Sequence, residues 1–346
     1  MHVAISLVVI ISVLILGVSF TQTSYGIGNH EFELDWGESG KTASGKFLFP
    51  QRIAEGNDGK VYVTDLGNSR IQVFDDSGNF IKTWGINGSG AGEFNSPQGI
   101  AVSENFVFIS DNKLNKIQKF DLDGNFISQW GEPGKNSSQF NSPRGLFINN
   151  NETLLVSDTG NNRIQEFTLD GEYISEFGKQ GTYDSNFRFP IDVAINNSGD
   201  IFVADYKLKK IVQFNSDHEF ITSFDGRYGG FSISPSGIDI DKNGNLYVVD
   251  SANYRVVYLD PSDGLTITQF GQFGMKDGQF NLPKDVLVSS DGYLFVVDTN
   301  SHRIQKFETP LTIPNQPEVV VGPEVVVGPE VVVEPEVVVE PEVVVE

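Results

Sequence analysis

Between residues 31 and 308, short apolar runs alternate with Gly, Asn and Asp clusters. This is the pattern of antiparallel strands joined by tight turns. One stretch shows it whole: Val61-Tyr62-Val63-Thr64, then Asp65, then Arg70-Ile71-Gln72-Val73-Phe74, a turn at Asp76-Ser77-Gly78-Asn79, and Phe80-Ile81-Lys82-Thr83-Trp84. The run before the Asp is apolar at successive positions, as in Leu246-Tyr247-Val248-Val249 and Leu294-Phe295-Val296-Val297. A strand apolar on both faces lies between two packed sheets.

The unit recurs six times. The Asp returns at Asp65, Asp111, Asp158, Asp205, Asp250 and Asp298, with gaps of 46, 47, 47, 45 and 48 residues. Pro keeps step at Pro50, Pro97, Pro143, Pro190, Pro235 and Pro283, and aromatic-Gly endings such as Trp36-Gly37, Trp84-Gly85 and Trp130-Gly131 mark the close of a unit. The period predicts an all-β, six-bladed β-propeller of four-stranded antiparallel blades. The last unit stops after Arg303-Ile304-Gln305-Lys306-Phe307, and an orphan strand stands at the start, residues 31–37. Joining the two closes the ring and removes open sheet edges.

The ends follow other patterns. Residues 3–20 are almost unbroken apolar sequence. Residues 1–26 therefore read as a signal peptide or a retained N-terminal membrane anchor, which puts the body outside the cell or at its surface. Residues 27–309 are the propeller, and 310–346 form a low-complexity tail dominated by Pro-Glu-Val-Val-Val repeats. Proline every six residues opposes helix and continuous sheet, so the tail is expected to be an extended, disordered spacer. Charge sharpens this division. The chain carries a net −22, and the eight Glu of residues 317–346 leave −14 for the rest. That balance opposes nucleic-acid binding, and the best basic cluster, Lys207-Leu208-Lys209-Lys210, is small. The absence of cysteine excludes disulfides, Cys-based zinc sites and a Cys nucleophile.

Each repeated Asp is followed five residues later by a base: Asp65/Arg70, Asp111/Lys116, Asp158/Arg163, Asp205/Lys210, Asp250/Arg255 and Asp298/Arg303. A pair present in every blade serves the blade, and an ion pair across each turn is expected. Asp158-Thr159-Gly160-Asn161-Asn162-Arg163-Ile164-Gln165-Glu166-Phe167 resembles the signature of the NHL-repeat family. So does Asp298–Phe307, with His302 on the family's usual His position, and Pro97-Gln98-Gly99-Ile100-Ala101 is similar to the family's opening segment. Leu114 and Leu208 depart from the pattern at its Asn position, and the join at Arg227–Phe231 is shortened.

The resemblance implies a propeller used as a binding platform and leaves the ligand open. The expected function is an exported scaffold for an unknown protein or cell-surface component, not itself an enzyme. The loops Ile86–Glu93, Glu132–Gln139 and Lys179–Asn186 are its contact candidates. The alternative is a calcium-dependent enzyme of the lyase or lactonase type found among related six-bladed propellers. Its site would lie in the central channel, where Arg52, Asp192, Asp239 and Asp285 are placed two or four residues after the repeated Pro. Those three acids could hold a hard cation such as calcium, with Arg52 as a compensating charge. The four histidines, His2, His30, His218 and His302, are spread too widely to meet as zinc ligands. Four glycosylation triplets begin at Asn87, Asn136, Asn151 and Asn196.

Overall fold

The computed structural model describes residues 30–149, 152–225, 233–262 and 264–309. The apolar leader, the glycosylation triplet's Asn151, the join at 227–231 and the repeat tail lie outside the described residues.

Six four-stranded antiparallel sheets form the expected ring. Their inner strands are Pro50–Glu55, Pro97–Val102, Pro143–Ile148, Pro190–Ile195, Pro235–Ile240 and Pro283–Val288, defining blades 1 to 6. Each packs beside the next, and the sixth packs beside the first. The second strands Val61–Asp65, Ile201–Asp205 and Leu246–Asp250 are buried at every residue, and the other three at every residue but the first. The sixth blade is completed by Phe32–Trp36, which pairs antiparallel with Arg303–Glu308 and sets Trp36 opposite Ile304.

The core is divided into six apolar clusters, one between each pair of successive blades. The aromatic residue ending a blade docks on the following one. Trp36 packs on Phe74, Trp84 on Phe120, Trp130 on Phe167 and Phe270 on Phe307, with ring centroids 5.0–6.0 Å apart. A second aromatic series escaped the sequence reading. Phe47, Phe94, Phe140, Phe187 and Phe280 stand three residues before the repeated Pro and are fully buried. Their period is visible in the sequence, and Phe94, Phe140 and Phe187 each stand immediately after one of the three candidate contact loops. Near the axis, hydroxyls stitch neighbouring blades: Thr159 Oγ1 donates to Pro190 O at 2.7 Å, and Thr299 Oγ1 to Pro50 O at 2.7 Å.

All six repeated Asp are buried. In four blades the expected pairing forms: Arg70, Arg163, Arg255 and Arg303 donate Nε–H to Asp65, Asp158, Asp250 and Asp298 at 2.8–3.1 Å. The forked guanidinium also reaches the preceding inter-blade loop, as when Arg163 Nη2 donates to Asn136 O and Gln139 O. The expected pairs Asp111/Lys116 and Asp205/Lys210 do not form. Lys116 Nζ donates instead to Ser89 O at 3.0 Å and Gln129 Oε1 at 2.8 Å, and Lys210 Nζ to Tyr183 O and Asp184 O at 3.2 and 2.6 Å. A guanidinium bonds the Asp and the loop together; an ammonium at the end of a longer stem reaches past the Asp to the loop carbonyls.

These same two blades carry Leu where the family pattern has Asn. The Asn68 side chain donates to Asp65 at 2.8 Å, whereas the Leu114 and Leu208 backbone amides donate directly to Asp111 and Asp205 at 3.0 and 2.8 Å. The turn is kept, and the aspartate stays bonded without its ion pair.

Candidate functional site

A bulge follows the Pro in every inner strand. Such a bulge re-aims the side chain beside it. The position two after the Pro carries Arg52, Gly99, Gly145, Asp192, Gly237 and Asp285 around the axis. Two of these glycines permit a close approach. A Cβ on Gly145 would lie 2.3 Å from Asp192 Oδ1, and one on Gly237 would lie 2.4 Å from Asp285 Oδ1.

Arg52 crosses the axis and closes it. Its Nη1 donates to Asp192 Oδ2 and to Asp285 Oδ1, each at 2.7 Å, and its Nη2 donates to Ile191 O at 3.0 Å. The backbone amides of Ile53 and Ile238 complete the carboxylates, donating to Asp285 Oδ2 at 2.9 Å and Asp192 Oδ2 at 3.1 Å. All three side chains are buried. One guanidinium faces two carboxylates here. Burial pushes Asp192 up to about 7 and raises Asp285 as well, against the pull of Arg52. Burial opposes the Arg52 charge, but the two carboxylates outweigh it and raise its pKa. The arrangement supplies from within the positive charge that a cation would bring to these acids.

Beyond this clamp, toward the hairpins joining first and second strands, lies a cavity of about 250 Å³. Arg52, Asp192 and Asp285 form its floor, and Ala101 and Phe147 are among its walls. Asp239 lines it apart from the clamp, accepting from Val288 N at 2.7 Å and Ile240 N at 2.8 Å. Loss of hydration pushes Asp239 up to about 7. At the same end Glu55 accepts from Ser290 N at 2.8 Å, and burial raises its carboxyl too. The structure thus joins Arg52, Asp192 and Asp285 in one cluster and leaves Asp239 to backbone amides. Among the described residues, no group of three or more His, Asp and Glu is arranged to hold a metal ion.

The position one after the Pro, nearer the inter-blade loops, carries Gln51, Gln98, Arg144, Ile191, Ser236 and Lys284; Ile191 packs in the core and Ser236 is buried, whereas Arg144 and Lys284 are half-buried cations. Arg144 and Lys284 come from blades on opposite sides of the ring. Arg144 Nη1 donates to Gln98 Oε1 at 3.3 Å, its Nε is buried without a partner, and its guanidinium lies 5.3 Å from the Phe189 ring. Lys207 Nζ lies 4.9 Å from the same ring. Burial, with the charges of Arg52 and Arg144, lowers Lys284 to about 8, and burial with Arg52 lowers Arg144 to about 10. Reading the positions two and four after the Pro misses this pair. The signal was a base immediately after Pro in two blades three repeats apart.

The three described histidines serve structural contacts. His30 Nδ1 bonds Glu308 O, His218 stacks on Phe177 in an outer turn, and His302 accepts from Phe49 N at 3.1 Å. The candidate contact loops are ordered. Ile86–Asn87 pairs parallel with Glu93–Phe94, and single bridges join Pro133 to Phe140 and Gln180 to Phe187.

A family model described as a 6-bladed beta-propeller matches residues 46–151, and the NHL repeat model matches residues 140–167, 187–214, 233–257 and 280–307. The B-box type zinc finger protein ncl-1 of Caenorhabditis elegans is 50% identical over 40 residues, 12% of this chain and 5% of that protein. The chain spans 4–7% of the length of the curated relatives it matches. Among solved structures, a virginiamycin B lyase from Staphylococcus aureus superposes with a TM-score of 0.56 at 17% identity, over 82% of this chain and 90% of that one. A gluconolactonase from Xanthomonas campestris gives 0.56 at 12% identity, over 77% and 88%. At such identities the likeness is one of fold. Sequence motif, strand order and blade count agree: this is an NHL-repeat protein, its repeats closed into a six-bladed β-propeller.

Proposed function

We propose that the propeller is a non-catalytic binding platform, acting at the cell surface or outside the cell, that takes a protein or ligand on its inter-blade-loop face. The observation that carries this reading is where exposed apolar side chains gather. Ile86, Tyr183, Phe273 and Met275, all in these loops, are 64–80% exposed. Exposed large apolar groups on rigid, bridged loops are the mark of a contact surface. Supporting this reading, the axial acids are already bonded within the fold: Asp192 and Asp285 by Arg52, and Asp239 by backbone amides. The segment 3–20 serves as export signal or anchor, and the acidic tail as a spacer.

The test places a photo-crosslinking amino acid at Tyr183 or Phe273 of the full chain, with Ile127 on an outer strand as control. The reading expects one discrete adduct with surface or secreted material from the loop positions and none from Ile127. Equal labelling from all three positions would overturn it. So would calcium-dependent turnover of a streptogramin or sugar lactone that is lost in Asp239→Asn.

A further inference from the structure

We infer that the loop-side mouth of the axis is a carboxylate-binding site in which Arg144 and Lys284 hold the anion and Phe189 holds the apolar body attached to it. The inference rests on the platform reading and names the chemistry that its centre recognises.

Two half-buried cations, Arg144 and Lys284, stand at the same repeat position in blades on opposite sides of the ring, and among the described residues neither forms an ion pair with a carboxylate. Of the three axial acids, Asp192 and Asp285 are bonded to Arg52 and Asp239 to backbone amides. Cations withdrawn from water without counterions cost free energy, and a structure keeps them where an anion arrives to offset the cost. The buried, unpartnered Nε of Arg144 is a donor with nothing to donate to. Its neighbour Nη1 has only a long bond to Gln98. A guanidinium edge with two N–H groups matches a carboxylate, and an ammonium opposite adds a point charge. Lowered pKa values at both groups agree with a cation pair lacking its anion.

The aromatic surroundings narrow the class. Phe189 lies under both the Arg144 guanidinium and the Lys207 ammonium, with Tyr206 6.3 Å away. The ligand is therefore a carboxylate carried beside an apolar group. Such a group comes from a small organic acid or from a Glu flanked by aliphatic residues. The chain's own tail offers the second form in each Pro-Glu-Val-Val-Val repeat.

The full chain is titrated by calorimetry with benzoate and with the peptide Pro-Glu-Val-Val-Val-Glu, alongside Arg144→Met and Lys284→Met. At least one carboxylate should bind saturably, and each variant should weaken it about tenfold or more, as loss of a charged hydrogen-bond partner does. Because neither cation has an ion-pair partner to lose, the variants should melt no lower than the parent. Tighter benzoate binding after removal of 310–346 would assign the site to the chain's own tail. No saturable binding with or without 310–346, or binding untouched by both variants, overturns the inference. Variants that melt lower while retaining binding also overturn it, because the cations would then be structural. The crosslinking adduct does not depend on these cations, so its survival without carboxylate binding would reject this inference alone.

Discussion

Arg52→Met should lower the stability of the propeller by about 3–5 kcal/mol, the cost of breaking a buried ion pair from one side. The change leaves Asp192 and Asp285 buried at the axis without the guanidinium that binds both at 2.7 Å. Their remaining partners, the amides of Ile238 and Ile53, do not neutralise charge. The deficit should depend on pH with a definite sign. Burial already raises both carboxyls in the folded state, Asp192 to about 7. A raised carboxyl stabilises the folded state below its unfolded value near 4, and that stability is lost as pH rises through the folded value. Removing Arg52 raises both further. The variant should therefore lie closest to the parent at pH 5 and furthest from it at pH 8 in thermal melts. The triple change Arg52→Met, Asp192→Asn, Asp285→Asn should recover much of the loss and flatten the profile. An Arg52→Met protein that melts with the parent at both pH values would remove the clamp from the account.

Deleting residues 31–37 should be more damaging, while deleting 310–346 should leave the melting temperature close to the parent's. The first deletion strips the outer strand from blade 6, exposing the edge of Arg303–Glu308, and takes Trp36 from between Phe74 and Phe295. It also removes Asp35, which accepts from Arg303 Nη1 at 2.8 Å. Trp36→Ala alone should cost about 3–5 kcal/mol, as large-to-small changes of buried aromatics do. For a propeller of this size that corresponds to a fall of about 5–9 °C. Equal melting of the two deletion proteins would contradict ring closure by the N-terminal strand.

Much of this was legible because a propeller repeats its physics. A buried second strand, a turn Asp and a docking aromatic must occur once per blade, so period alone located them at Asp65, Asp158 or Trp84. What period could not show is where a side chain goes. Lys116 and Lys210 occupy the arginine position in sequence, yet reach the loop carbonyls and leave Asp111 and Asp205 to backbone amides. Arg52 was read as a charge near the channel acids. That it bonds Asp192 and Asp285 at once depends on the bulges that turn opposite and adjacent strands toward one point. Arg144 and Lys284 were missed for a related reason. The register shifts run from Pro143 to Leu146 and from Pro283 to Asp285, so Arg144 and Lys284 lie inside bulges, where strand alternation does not predict the direction of a side chain.

On the proposed reading Arg52 closes the axis from within, and binding falls to the loop face. Thermal melting of the full chain with calcium, with zinc and with chelator tests it most directly. A cation entering the axis would have to displace a guanidinium already bonded to both carboxylates, so no metal should shift the melting temperature relative to chelator. A calcium-dependent rise that disappears in Asp285→Asn would contradict the claim and make the axial acids a metal site.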